Sequence, residues 1–305
     1  MKVVVATSQF AVSDDVKRNL RGILRQMEEA KDGGARVIHF CEGALSAYVP
    51  HDRESFAGYD WDALREASEE VAAHAKKLRL WVVLGSTHRL TGRRKPHNSV
   101  YVIDDRGRLV DRYDKRFCAG DRTGKTGELA HFTPGSRRCV FDIAGVRCGI
   151  LICHEYRYPE LHREYKKAGV QLIFHSYHAG NMRPDAYAEM QAQVGAENHA
   201  HNPGTTLPEI TMPASMHAVA ASSHVWISCA NSSARESCFP AFAIRPDGVV
   251  VGKLKRNRAG VLLTSVDPRA KLYDSTEAWR NRAMGSRFHS GRTVEDPRSS
   301  DRRSF

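Results

Sequence analysis

Gly149-Ile-Leu-Ile-Cys153-His-Glu-Tyr-Arg-Tyr-Pro-Glu160 decides how this chain reads. An apolar, β-branched run ends on a thiol, and a Pro-Glu helix start follows closely. A cysteine at a sharp strand-to-helix turn lies beside amide N–H groups, which lower its pKa and can hold an oxyanion. Taken alone, the stretch also fits a small buried cysteine, the usual place of a free thiol.

Working outward, the spacing predicts strands at Arg138–Ile143 and Val146–Ile152 around Ala144-Gly145, a helix near Pro159–Ala168 and a strand at Val170–Phe174. Upstream, a strand at Lys2–Ala6 precedes a helix over Asp15–Lys31, with Val16, Leu20, Ile23, Leu24 and Met27 on one face and Gly33-Gly34 as its stop. Arg36–Cys41, Leu80–Gly85, Ser99–Ile103 and Leu109–Tyr113 read as strands, and Asp60–Leu78 as a helix. Later strands fall at Val225–Cys229, Ala241–Ile244, Val249–Gly252 and Val261–Val266. Strands interleaved with crossover helices and hairpins give an α/β domain of mixed sheets covered by helices. With no repeat, linker or composition break before about residue 268, residues 1–268 read as one domain and 269–305 as a basic, partly disordered extension.

Composition narrows the function classes. The chain has 305 residues, 41% hydrophobic and 27% charged, which excludes collagen-like, fully disordered and disulfide-miniprotein classes. Seven cysteines without a CxxC pair argue for reduced thiols, and the lone His175-Ser-Tyr-His178 spacing does not make a metal site. No apolar run reaches the roughly 20 residues of a membrane span, and Met1–Val12 reads as a strand rather than a signal peptide, so cytoplasmic residence is expected. The net charge is +11; 13 Lys/Arg against six Asp/Glu put +7 of it between Lys253 and Phe305. No nucleic-acid-binding motif accompanies that excess, so a solvated basic surface is expected, with a nucleic-acid-binding or scaffolding protein as the non-enzymatic alternative.

Two more strand ends carry chemistry. Val37-Ile-His-Phe-Cys-Glu42 leaves a carboxylate beyond an apolar strand, and Arg112-Tyr-Asp-Lys115 leaves an ammonium beyond another. Strand ends line the ligand crevice of α/β sheets. A carboxylate, an ammonium and a thiol meeting there supply a base, an electrophilic stabiliser and a nucleophile.

With these motifs in that order, the chain resembles the nitrilase superfamily of carbon–nitrogen hydrolases over about residues 1–268. Val-Ala-Thr-Ser-Gln9, Glu42-Gly-Ala-Leu-Ser-Ala-Tyr48, Tyr113-Asp-Lys115, Phe132-Thr-Pro-Gly135, Cys153-His-Glu-Tyr-Arg-Tyr-Pro-Glu-Leu161 and Ala230-Asn231 all fall in sequence. The resemblance implies a nitrilase-like αββα sandwich, usually a homodimer, with no metal or organic cofactor. It assigns Cys153 as nucleophile, Glu42 as general base, Lys115 as stabiliser of the tetrahedral intermediate, and Glu128 as an auxiliary carboxylate. His154 would lend a backbone N–H to the oxyanion. Arg157, and Tyr177, His178 and Asn181 on the loop after Val170–Phe174, become substrate-binding candidates.

Phe40-Cys41 stands where Phe-Pro usually precedes the glutamate. His154-Glu155 after the nucleophile resembles the amidase and carbamoylase branches more than the Trp-Glu of nitrilases. Hydrolysis of a small amide or N-carbamoyl compound is therefore expected, with nitrile hydrolysis or acyl transfer as alternatives. About 25 extra residues, near 183–211, are expected beside the site: a helical stretch over Asp185–His199, a break at Asn202–Pro208 and a second helix over Met212–Ser222. A lid, a dimer contact and a passive surface insertion all fit that segment.

Overall fold

A computed structural model describes residues 2–304; Met1 and Phe305, the outermost residues of the N-terminal stretch and of the basic extension, lie outside it. Among the described residues twelve strands form two sheets, joined where β1 (Val3–Phe10) pairs in parallel with β9 (Trp226–Ser232) at Gln9↔Asn231 and Phe10↔Ser232. The first sheet runs from β5 (Leu109–Asp114) through β4 (His97–Ile103), β3 (Trp81–His88) and β2 (Val37–His39) to β1, with β12 (Gly260–Val266) antiparallel on β1. The second holds β6 (Val140–Ile143), β7 (Val146–Ile152), β8 (Leu172–Ser176) and β9, then β10 (Phe242–Ile244) and β11 (Val250–Lys253).

The sheets pack face to face. Val5, Val37, Val83, Val100 and Val102 from the first share one buried cluster with Ile150, Ile152, Phe174 and Ile227 from the second. Each such side chain contributes about 1.5–3 kcal/mol on burial. His39 rivets the layers, its two ring nitrogens each 2.9 Å from a serine hydroxyl, Ser228 and Ser176. Burial pushes that imidazole down to about 3, so the rivet is neutral.

Helices close both outer faces. α1 (Val16–Asp32) starts on Asp15, whose carboxylate accepts from the Lys17 and Arg18 amides, and buries Ile23, Met27 and Ala30. It packs with α2 (Trp61–Leu78) over the first sheet. α3 (Pro159–Lys167) and, after α4 (Pro184–Val194), α5 (Leu207–Ser223) lie against the second. The arrangement is the expected αββα sandwich. Among the described residues no helix is long and apolar enough to cross a membrane.

The inserted segment differs in its boundaries. Gly195, at φ +82°, breaks the expected Asp185–His199 helix into α4 and a 3-10 turn over Ala196–His201. α5 begins at Leu207 rather than Met212, because Thr206 and Glu209 form a reciprocal capping box that starts the helix five residues early. Glu209 is also the segment's anchor: its carboxylate accepts from Tyr187 Oη (2.6 Å) and the Thr205 amide (2.7 Å) and pairs with Arg256 (2.8 Å). Beyond β12, His224 and Arg280 both meet Asp274 at the end of α5, and residues 285–304 are exposed throughout.

Gly85 of β3 is required by a close approach. A Cβ there would lie 1.9 Å from the Cys41 carbonyl oxygen and 3.0 Å from the Glu42 Cα. Gly85→Ala must push the Glu42 loop off β3, at a cost of about 1–3 kcal/mol for overpacking. Denaturant titration and turnover measured together should show both stability and activity falling; wild-type values in both would show that the loop moves freely.

Candidate active site

The strand ends of both sheets converge on one buried charge cluster. Glu42 follows β2, and its amide donates to the Tyr177 carbonyl (3.1 Å), tying it to the end of β8. Lys115 follows β5, and its Nζ donates to Glu42 Oε1 (2.8 Å) and Glu128 Oε1 (2.7 Å). These side chains are 0%, 0% and 3% exposed for Lys115, Glu42 and Glu128. An ammonium has three N–H donors; two meet the carboxylates, and the third is available to an incoming oxygen.

Asn98 completes the cluster, and sequence reasoning missed it. Its Nδ2 donates to Glu42 Oε1 (2.7 Å) and Glu128 Oε1 (3.0 Å), while its carbonyl receives the Lys115 amide (2.9 Å). The residue pattern alone starts that strand at Ser99; β4 starts at His97, which brings Asn98 inside. Glu128 Oε2 accepts the Ala119 amide at 2.8 Å. Within this cluster, and among the described residues, only Glu42 Oε2 is buried without a partner. That oxygen is the free acceptor a general base needs.

Electrostatics separate the two glutamates. Burial, then the Glu128 charge, outweigh Lys115 and raise the Glu42 carboxyl above its ordinary value. Burial also pushes Glu128 up, but Lys115 and the Ala119 amide override it and hold it below. Burial works against the Lys115 charge, yet Glu128 and Glu42 lift its pKa well above the usual lysine value. It stays cationic.

Cys153 opens a 3-10 turn over Cys153–Arg157 directly after β7. Its φ of +41° is left-handed, a strained conformation for a residue with a side chain. Burial and then the Glu42 charge push its thiol well above the usual range, while Lys115 and the His178 amide pull back. The resting residue is a thiol that a neighbouring base must deprotonate. Among the described residues all seven cysteines are free, and Cys153 is half-buried.

Glu155 welds this turn to the lysine strand. It is fully buried, and its carboxylate accepts from the Ile152 amide (2.8 Å), Tyr113 Oη (2.7 Å), the Arg116 amide (2.8 Å) and the Phe117 amide (3.2 Å). Four donors converge on two acceptor oxygens, which only the carboxylate satisfies.

The remaining sequence candidates sit around this centre. His178 Nε2 lies 3.2 Å from Asp52 Oδ1, both side chains 0% exposed, and Asn181 Nδ2 donates to the same oxygen at 3.1 Å. Burial lowers the His178 pKa, but Asp52 more than offsets it and the net direction is up. Asp52 Oδ2 accepts the Tyr48 amide at 2.8 Å, so His178 and Asn181 latch the 48–52 turn to the loop after β8. Tyr177 faces inward, its ring stacked on His175 with centroids 4.4 Å apart. His154 is half-buried, and burial followed by Lys115 pushes it down to about 4. Arg157 is exposed, its guanidinium 4.8 Å from the Tyr156 ring centroid.

The carbon–nitrogen hydrolase family profile matches residues 4–274. The chain belongs to the carbon–nitrogen hydrolase family. It is 26% identical over 213 residues to nitrilase homolog 2 of Dictyostelium discoideum, a match covering 65% of this chain and 63% of that one. To the chloroplastic omega-amidase of Arabidopsis thaliana it is 29% identical over 180 residues, covering 56% and 48%. The matched region thus spans about half to three-fifths of these relatives' own length. Among solved structures, an amidase from Nesterenkonia sp. superposes with a TM-score of 0.68 at 20% identity, covering 88% of this chain and 90% of that one. A mutant of the Nesterenkonia sp. AN1 amidase, at TM-score 0.68, 19% identity and coverage of 88% and 90%, carries the acetamide moiety of fluoroacetamide covalently on its active-site cysteine.

Glu155→Gln keeps the shape but turns an amide NH₂ toward donors. Leaving buried donors unpaired costs about 1–3 kcal/mol each. The variant should lose stability to chemical denaturation and lose turnover, since Lys115 and Cys153 are no longer held in register. Full activity in a folded Glu155→Gln protein would contradict the weld.

Proposed function

We propose that this carbon–nitrogen hydrolase is a cysteine amidase acting on a small amide or N-carbamoyl compound through a thioester. The observation that carries the reading is the unpartnered Glu42 Oε2, buried beside an ammonium with one free N–H and a thiol on a left-handed turn. Glu42 takes the Cys153 proton as sulfur attacks the carbonyl carbon. The oxyanion meets the third Lys115 N–H and the His154 amide. Glu42 then protonates the leaving nitrogen, and ammonia or an amine departs. Water, deprotonated by Glu42, attacks the thioester, and collapse releases the acid and returns the proton to sulfur. Every proton moves through one carboxylate.

Glu128 and Asn98 hold Lys115 and Glu42 in place; Arg157, on the nucleophile's own turn, is the candidate to meet a charged acyl group at the mouth. Relatives whose names denote amidases, and a neighbour carrying an acetamide moiety on its cysteine, support amide over nitrile. A homodimer in a reducing cytoplasm belongs to the same proposal, since the mechanism needs a free thiol.

The test is ammonia release from a panel of amides, N-carbamoyl amino acids and nitriles. Amides or carbamoyl compounds should turn over, and nitriles should not. Lys115→Ala removes a transition-state donor, so kcat should fall about 10²–10³-fold with KM little changed. A Glu42→Gln enzyme near the wild-type rate would refute its role as base.

pH supplies a further check. Glu42 acts only when deprotonated, and its carboxyl sits above the ordinary glutamate value of about 4.3. Activity should therefore rise with pH along an acidic limb centred above that value. A limb at or below it would contradict the assignment.

A further inference from the structure

We propose that His175 is a positioning residue for the oxyanion-binding amide of His154, acting through the Cys153–His154 peptide; this rests on the amidase reading above. His175 lies on β8, fully buried, with Nε2 3.3 Å from the Cys153 carbonyl oxygen. A carbonyl only accepts, so Nε2 carries the hydrogen and the imidazole is the donor. Burial and then the nearby His162 push its pKa well below the usual histidine value, so the ring is neutral and Nδ1 is bare. Among the described residues Nδ1 has no partner, nor has the hydroxyl of Tyr177, the ring stacked on it.

The peptide bond connects this contact to the chemistry. In a planar trans peptide the C=O and N–H point to opposite sides. A donor on the Cys153 carbonyl therefore fixes the direction in which the His154 N–H points. It also polarises that peptide, because hydrogen bonds in series strengthen one another. The restraint is needed here: the left-handed Cys153 backbone sits in a sparse region of conformational space, and it persists only where surroundings over-determine it. A core position between β7 and β9 would be better filled by an apolar ring if packing were all that mattered, since Nδ1 and Tyr177 Oη sit unpaired at a cost in stability. The polar ring is instead placed where its one satisfied nitrogen reaches the nucleophile's own peptide.

His175→Phe keeps a flat ring against Tyr177 and removes the donor; His175→Gln returns an N–H of similar reach; His175→Met is a second apolar replacement should the phenylalanine variant misfold. Three readouts separate positioning from mere structure: kcat and KM on an amide turned over by the wild type, the rate of Cys153 alkylation by iodoacetamide, and folding by circular dichroism. Alkylation displaces iodide at a saturated carbon and forms no oxyanion, so it does not use the His154 amide. The expected result for His175→Phe, or for the methionine variant, is a kcat lower by about 10-fold, a fraction of what losing an oxyanion donor outright costs. KM and the alkylation rate should stay within about twofold, and glutamine should recover part of kcat. A folded apolar variant with wild-type kcat overturns the proposal. So does a parallel loss of turnover and alkylation, which would make His175 structural only. No amide turnover by a wild type whose Cys153 alkylates normally would instead overturn the amidase reading, and this role with it.

Discussion

The structure depends on a single ammonium held between two buried carboxylates. Glu42, Lys115 and Glu128 are almost wholly out of water, and each charge alone would cost several kcal/mol to bury. The cluster persists because Lys115 Nζ donates to both carboxylates, Asn98 donates to both, and the Ala119 amide completes Glu128. Removing one member of such a set leaves an uncompensated buried charge, at about 3–5 kcal/mol. The cluster therefore dictates where three loops go. β2, β5 and the turn carrying Glu128 must deliver their residues to one point, and Gly85 must carry no side chain so that the Glu42 loop can lie against β3.

The second sheet brings the sulfur to that point. β7 ends at Ile152, and the left-handed Cys153 redirects the chain into a 3-10 turn whose Glu155 carboxylate gathers donors from both the turn and the lysine strand. The proposed nucleophile and its proposed electrophilic stabiliser thus come from different sheets and share one carboxylate clamp. Burial first, and then the cluster's one cation against two anions, keep the resting sulfur protonated, and Glu42 is the proposed place for its proton. A thiol at rest, beside a carboxyl raised by burial, fits the proposed acyl transfer, which would begin only when substrate is in place.

Much of this was legible in the sequence, for physical reasons. Strand ends are marked by the switch from β-branched runs to Glu42, Lys115 and Cys153, and the alternation of strands with amphipathic helices gave the layered fold. What was not legible came from long-range partners. Asn98 sits one residue outside the strand predicted at Ser99, and nothing local shows that its amide will face two carboxylates from elsewhere in the chain. His178 and Asn181 read as pocket residues from their loop, but their partner Asp52 is more than a hundred positions away and converts them into a latch. The late start expected for α5 had a local remedy: Thr206-x-x-Glu209 is a capping box, and it outweighs the Pro208 that suggested a break.

The proposed chemistry stands or falls on Cys153 carrying the acyl group during turnover. The most direct measurement is mass spectrometry of enzyme quenched in acid during steady-state turnover of an amide substrate, with peptide mapping of any adduct. The expected result is a mass increase equal to the acyl group, confined to the peptide containing Cys153 and enriched in Glu42→Gln to the extent that deacylation slows more than acylation. Steady turnover with no cysteine-bound acyl group, or with the adduct on another residue, would contradict it.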